Sequence, residues 1–243
     1  MAIRKTFLLA YTVLICLVMC NHELYGQAPK TIFGIQVKPI VPFSFLNTNG
    51  DLFLGDGIDF RVDPKVGINF GMVIRHRITD TWSIESGLNY VARKYDFDVL
   101  NDTIPDFTER IRFEGYEIPL SGMVFLRLGD QIYGNVSMGV SLDLYPTGGL
   151  VSNNDGYEIG ILERKWIQTA FISNLGIEWR TKKSGYFYIG SSYHQPFTDM
   201  ADVFLSYRQD GTNTFDRLFE IPLNGSYLTI DLRYFFYEKS TKN

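Results

Sequence analysis

Residues 65–97, KVGINFGMVIRHRITDTWSIESGLNYVARKYDF, constrain the fold most tightly. They read as two long strands joined by a short turn at Thr79-Asp80-Thr81. On the first, Val66, Ile68, Phe70, Met72 and Ile74 alternate with Gly67, Asn69, Gly71, Val73 and Arg75. On the second, Trp82, Ile84, Ser86, Leu88 and Tyr90 alternate with Ser83, Glu85, Gly87, Asn89 and Val91. A period of two puts each set on one face of a sheet. One face is apolar with aromatics at its ends, whereas the other carries Gly, Asn, Glu and Arg. A polar, glycine-spaced face opposite a continuous apolar one is how a strand looks when it is lipid-facing outside and packed with polar groups inside a barrel.

The rest of the chain repeats this design. Strands are expected at 32–45, 65–78, 82–97, 110–128, 132–144, 166–180, 186–194 and 225–237. Their connections alternate long and short, with polar loops at 47–63, 98–109, 145–165 and 195–220. The expected fold is all-β: an eight-stranded antiparallel up-and-down transmembrane β-barrel of the outer-membrane type, with short turns on the periplasmic side and long loops outside. Eight steps from Trp82 to Tyr90 span ~26 Å at ~3.3 Å each. A tilt of ~40° reduces this to a height of ~20 Å, close to the apolar band of such barrels.

Export is read from the N-terminus. Arg4 and Lys5 precede an apolar run at 7–19, which is too short for a spanning helix. Residues 1–26 read as a cleaved signal peptide and 27–243 as the barrel domain. Cys20 after Leu17-Val18-Met19 fits a lipoprotein signal only loosely, because Met19 stands where a small residue is expected. Both cysteines, Cys16 and Cys20, lie in the leader, so no disulfide framework is expected. Removing 1–26 takes away Arg4, Lys5 and Glu23 and leaves 21 basic against 26 acidic residues, a net charge of −5. That excludes the basic footprint of a nucleic-acid partner.

The inward set includes Lys38, Arg75, Glu85, Glu117, Arg127, Asp143, Glu178, Asp231 and Arg233, joined by Arg77, Arg93 and Arg180. A bore of eight strands leaves room for side chains only, so these charges must pair with one another. The outward set carries an aromatic girdle at two levels: Trp82, Trp179, Tyr234 and Phe236 toward the turns, and Tyr90, Trp166 and Tyr193 toward the loops.

Catalytic chemistry is weakly indicated. Of the histidines after the leader, His76 stands near a turn and His194 tops the seventh strand beside Ser191 and Ser192. A couple of Ser192 and His194 with Asp199 or Asp202 matches no hydrolase signature. The chain has no HExxH, CxxC, P-loop or strand-borne GxGxxG, so no cofactor or metal is expected. Asn153-Asn154-Asp155-Gly156 reads as a turn before it reads as a calcium loop.

Several segments resemble the PorT-like outer-membrane β-barrel proteins of the Bacteroidota. These are the leader ending near Gln27, the hairpin from Gly71 to Tyr90, the stretch Tyr116-Glu117-Ile118-Pro119-Leu120, and the aromatic finish Tyr234-Phe235-Phe236-Tyr237. The resemblance covers nearly the whole mature chain and is architectural, carrying no catalytic residue across. It implies a non-enzymatic protein of the Gram-negative outer membrane, acting through its loops or within a secretion or envelope assembly. Outer-membrane lipids, lipopolysaccharide and the barrel-assembly machinery are the expected partners. An anchoring role through a following peptidoglycan-binding domain is not expected. The alternatives are a lipid A acyl hydrolase or transferase, and a secreted soluble barrel with a greasy interior for an apolar ligand.

Overall fold

The computed structural model describes residues 31–42, 51–55, 58–101, 104–145, 149–152, 157–163, 165–208 and 215–237. The leader, the 153–156 turn and the residues after 237 lie outside this set. The described residues form thirteen strands: β1 (Thr31–Val41), β2 (Asp51–Gly55), β3 (Ile58–Arg77), β4 (Trp82–Asn101), β5 (Ile104–Arg127), β6 (Ile132–Leu144), β7 (Gly149–Ser152), β8 (Tyr157–Glu163), β9 (Ile167–Arg180), β10 (Tyr186–Pro196), β11 (Ala201–Arg208), β12 (Phe215–Leu223) and β13 (Tyr227–Phe235). Among them no helix is long and apolar enough to cross a membrane.

Eight of the strands close into an antiparallel barrel. Around the wall the order is β1, β13, β10, β9, β6, β5, β4, β3, and β1 closes the ring by pairing with both β13 and β3. The alternation read from the sequence sets the faces: Phe33, Ile35, Phe70, Met72, Leu88, Leu120, Met138, Leu175, Ile189 and Leu232 point out, while Gln36, Lys38, Asn69, Arg75, Asn89, Glu117, Asn174 and Asp231 are buried within.

One end of the barrel is closed by tight hairpins. Thr79 organises the β3–β4 turn, its hydroxyl accepting from the amides of Thr81 and Trp82 at 3.2 and 2.9 Å. In the β9–β10 turn Gly185 has φ +84°, and its carbonyl accepts from the Thr181 amide at 3.1 Å and hydroxyl at 2.7 Å. A side chain there would force a left-handed backbone and meet the Phe235 carbonyl.

The other end departs from the sequence expectation. The segment 98–109, expected as a loop, continues the β4–β5 hairpin out to Asn101 and back from Ile104. The expected loops 145–165 and 195–220 hold β7, β8, β11 and β12, a second antiparallel sheet in the order β12-β11-β8-β7. Its Ile159, Ile161, Val203 and Leu205 pack on Phe60, Val62, Tyr95, Phe97, Val99 and Phe113 from the prolonged β3, β4 and β5. This loop-end cap is therefore a small β-sandwich with an apolar core of its own. On the prolonged β4 and β5 its alternation is apolar-in and polar-out, the reverse of the wall below, which is why that part reads as polar loop when strands are sought by an apolar outer face.

The reversal runs along single strands. On β5 the outer face passes from Leu126, Val124, Leu120, Ile118 and Tyr116 to Glu114, Arg112 and Arg110, whereas the inner face passes from Ser121 and Glu117 to Phe113. On β4 the inner face changes from Ser83, Glu85 and Asn89 to Tyr95, Phe97 and Val99. The change falls at the level of Tyr90 and Tyr116, whose rings are 6.0 Å apart. A β-bulge in β3 between Lys65 and Ile68 lies at this transition.

Candidate functional site

Two layers of polar side chains fill the lumen. The layer nearer the turns is a lattice of ion pairs in which each carboxylate meets two cations. Glu85 accepts from Arg75 Nε at 3.0 Å and also bonds Arg233. Glu178 bonds Arg75 and accepts from Arg180 Nε at 2.6 Å. Asp231 accepts from Arg233 Nη2 at 2.6 Å and has Lys38 Nζ at 4.0 Å. β3 and β9 stand opposite one another in the ring, so the Arg75–Glu178 pair crosses the full bore.

Aromatic rings insulate the guanidinium groups. Arg75 lies over Phe235 at 3.9 Å, Arg180 over Tyr133 at 3.9 Å and Arg233 over Tyr188 at 4.7 Å. Tyr188 reaches its place because Gly176 and Gly190 lack side chains: a Cβ on either would come within 2.2 Å of its hydroxyl. Asn174 ties this ring to the lattice, accepting from Tyr188 Oη at 2.5 Å and donating to Asp231 at 3.0 Å.

The layer nearer the cap is built on Glu117 of β5, Asp143 of β6 and His194 of β10. His194 Nε2 lies 2.8 Å from Asp143 Oδ2 and 3.9 Å from Glu117 Oε2. Tyr227 stacks on the imidazole at 4.4 Å and donates its hydroxyl to Glu117 Oε2 at 2.7 Å. β13 and β5 are also opposite in the ring, so this hydrogen bond is a second crossing of the bore. Asn89 donates to Glu117 Oε1 at 2.9 Å, and Ser141 to Asp143 Oδ1 at 2.8 Å. Arg93 sits above, between Tyr145 at 5.1 Å and Tyr227 at 4.9 Å, donating to the Gly225 carbonyl and to Tyr145 Oη.

Of the residues expected to pair inside, Arg127 is a correction. Although it keeps the inward parity, β5 ends there at the turn. Its side chain is 64% exposed and bonds Asp130 at 3.1 Å and the Gly129 carbonyl, in water rather than in the lumen. Lys38, Arg75, Glu85, Glu178, Asp231 and Arg233 come together in one layer, while Glu117 and Asp143 belong to the other. Tyr145, Tyr188 and Tyr227 complete the two layers. Period-two parity marks Tyr188 and Tyr227 as inward, whereas Tyr145 sits just past the end of β6.

The girdle residues lie on the outer wall at two levels. Toward the turns, Phe187 joins Trp179 at 6.0 Å to Tyr234 at 5.1 Å, and Tyr234 meets Phe236 at 5.5 Å. Trp82 is exposed at the start of β4. Toward the cap, Tyr90 packs between Phe70 and Tyr116, Trp166 is exposed, and the half-buried Tyr193 donates to Gln195 Oε1. Exposed charge begins just beyond Tyr90, whose hydroxyl accepts from Arg112 at 2.9 Å.

The Ser192–His194 couple, which matches no hydrolase signature, is not assembled among the described residues. Ser192 donates to Asp231 at 2.6 Å and Ser191 to the Thr229 carbonyl at 2.8 Å, on the far side from the His194 partners. Ser141 does approach His194, at 3.3 Å, but at the same Nε2 that meets Asp143. A nucleophile and its orienting acid need opposite ring nitrogens. His76 lies outside on β3, beside the Thr31 hydroxyl at 2.9 Å. Glu85 and Arg233 are buried in the bore, so the barrel interior formed by the described residues is charged rather than greasy.

No protein-family model and no curated protein matches the sequence. Among solved structures, the chain is similar to the outer membrane protein OprG from Pseudomonas aeruginosa, with 14% identity, 87% of this chain and 98% of that chain covered, and a TM-score of 0.53. The fold is that of an outer-membrane β-barrel. The N-terminal β-barrel domain of Pseudomonas aeruginosa OprF (12% identity, 86% and 100% covered) and the outer membrane protease OmpT from Escherichia coli (10% identity, 88% and 99% covered) overlay only at a TM-score of 0.37. Those two overlaps are too loose to bear on function.

Proposed function

We propose that this chain is an integral protein of the Gram-negative outer membrane, exported by a cleaved leader, with a plugged polar interior and no catalytic activity. It acts through its loop-end cap, within an envelope or secretion assembly of the PorT-like kind found in the Bacteroidota. The observation that carries this reading is the inversion of polarity at the Tyr90 level. Below it, large apolar side chains cover the outside and charges fill the inside, an arrangement favourable only in lipid. Above it the same strands obey the rule for water.

Two crossings of the bore speak for a plug rather than a conduit, and the burial of His194 away from rim and lipid speaks against acyl transfer. Outer-membrane lipid and lipopolysaccharide then contact the apolar belt, and the barrel-assembly machinery inserts the chain. The cap sheet is the surface offered to a protein partner. Expression in a Gram-negative host should give a heat-modifiable band in the outer-membrane fraction; a soluble periplasmic product would refute the proposal. Pull-downs from solubilised membranes with and without residues 145–165 should differ in captured envelope proteins. Identical captures would remove the cap from the binding role.

A further inference from the structure

The two lumen layers treat their carboxylates differently. Glu85, Glu178 and Asp231 each have two cationic partners, whereas among the described residues neither Glu117 nor Asp143 is bonded to any lysine or arginine. Yet both are buried and share a single imidazole, with Arg93 reaching Asp143 only through the Tyr145 hydroxyl. One ligand atom from each of Glu117, Asp143 and His194 lies within 4.8 Å of the other two. In a tetrahedral site with bonds of ~2.0–2.1 Å, ligand atoms stand ~3.3 Å apart. The His194 separations of 2.8 and 3.9 Å bracket that value.

A second observation is independent of the acids. An internal cavity of about 30 Å³ adjoins the cluster, lined in part by Gln36, Asn69, Glu117 and His194. Gln36 Oε1, Asn69 Oδ1 and His194 Nδ1, on residues no more than 3% exposed, have no hydrogen-bond partner. Two buried amide oxygens without a donor, on residues lining the cavity, call for a water or a hydrated cation, and an ion held at Nε2 leaves His194 Nδ1 as an N–H donor.

We propose that Glu117, Asp143 and His194 form a buried site for a divalent transition-metal ion of the zinc class. One imidazole with two carboxylates is a borderline donor set that suits zinc, manganese or ferrous ions rather than calcium. Neighbouring groups already hold each ligand in place. Asn89 holds Glu117 by Oε1 and Ser141 holds Asp143 by Oδ1, while Tyr227 stacks on the imidazole and donates to Glu117 Oε2, a hydrogen bond that Oε2 keeps through its other lone pair or gives up to the ion. The cavity gives room for one water bound to the ion. The ion neutralises the two carboxylates and ties β5, β6 and β10 together where the barrel meets the cap. The proposal does not depend on where the barrel resides.

The test uses the full chain in detergent micelles, stripped with chelator, loaded with Zn²⁺, desalted and assayed for metal by mass spectrometry. The expected result is about one zinc per chain, with a higher temperature of heat-modification in the loaded form. His76→Gln, on the outer wall, should keep the zinc. His194→Gln and Asp143→Asn should bind at least ~10-fold more weakly while still migrating as folded barrels. Should either variant fail to fold, Co²⁺ added to the unmodified chain gives the answer, since a low-symmetry site with histidine and carboxylate ligands produces visible absorption bands that aqueous Co²⁺ lacks. An unmodified chain that keeps no zinc and shows no such bands, or a folded His194→Gln variant that keeps as much as the original, would overturn the proposal.

Discussion

The wall of the barrel and its cap share three long strands, β3, β4 and β5, and obey opposite rules. In the wall, Leu175 is 65% exposed and Met138 61% exposed, while Arg75 and Glu178 are buried. In the cap, Phe97, Val203 and Leu205 are buried, and the outer side of β4 and β5 carries Lys94, Asp96, Arg110 and Arg112. Local propensity cannot explain the difference, because β4 and β5 run through both regions without a break. What changes is the medium each face meets. The sequence of a single strand thus records a boundary between hydrocarbon and water, placed at Tyr90 and Tyr116.

The largest effect should come from breaking the charge lattice of the wall. Arg75→Ala leaves Glu85 and Glu178 with one cation each in a buried layer, at a cost of about 3–5 kcal/mol. The midpoint of urea unfolding in micelles should fall accordingly, and Arg127→Ala, in water at the turn, should barely move it.

Comparable local damage in the cap should have a different reach. Phe97→Ala removes a fully buried ring from the sandwich core and should cost about 3–5 kcal/mol there. The cap should then become sensitive to protease while the barrel still migrates as a heat-modifiable species. Loss of both together would mean that wall and cap fold as one unit.

Charge on the outer surface separates the regions more finely. Leu175→Arg should cost about 2–4 kcal/mol if the position lies near the bilayer midplane. Leu162→Arg, on β8 of the cap and 58% exposed, should fall within the ~0.5 kcal/mol of an ordinary surface change. Equal costs would erase the distinction.

The smallest effect concerns pH and belongs to the cap side alone. Asp96 accepts from Arg110 at 2.6 and 2.9 Å and has Lys65 at 3.5 Å. The Arg110 hydrogen bonds, helped by both positive charges and opposed by partial burial, hold its carboxyl below the usual carboxylate range. Because the folded value is the lower one, this contribution is present above the unfolded pKa of ~3.9 and is lost as pH falls through the folded value. Hydrogen exchange along the outer part of β4 and β5 should therefore rise below about pH 4. Asp96→Asn should abolish that step.

The wall was legible in the sequence because its alternation is long and its short turns are explicit. The strand ends on the turn side follow from the short turns, and the inward sense of Lys38, Glu85, Asp231 and Arg233 follows from parity, whereas β3, β4 and β5 run past their expected cap-side ends. Parity failed at Arg127, since it gives direction but not depth, and a long side chain at a strand end reaches water. The cap was hidden by its brevity: Ile159 with Ile161, and Val203 with Leu205, are two-residue signals lying among turn-formers. The Glu117–Asp143–His194 cluster was equally out of reach. Glu117 and Asp143 are cross-strand neighbours on the β5–β6 hairpin, but His194 stands on β10, two strands further round the wall, and only the curvature of the ring brings it to face them.

The inversion itself can be read directly with spin labels at Met138→Cys and Leu162→Cys, in chains reconstituted into liposomes. The label at 138 should be accessible to oxygen dissolved in lipid and shielded from a water-soluble nickel chelate, and the label at 162 should show the reverse. If both labels met the nickel chelate equally, the outer wall would be facing water, and the barrel would not be a membrane protein.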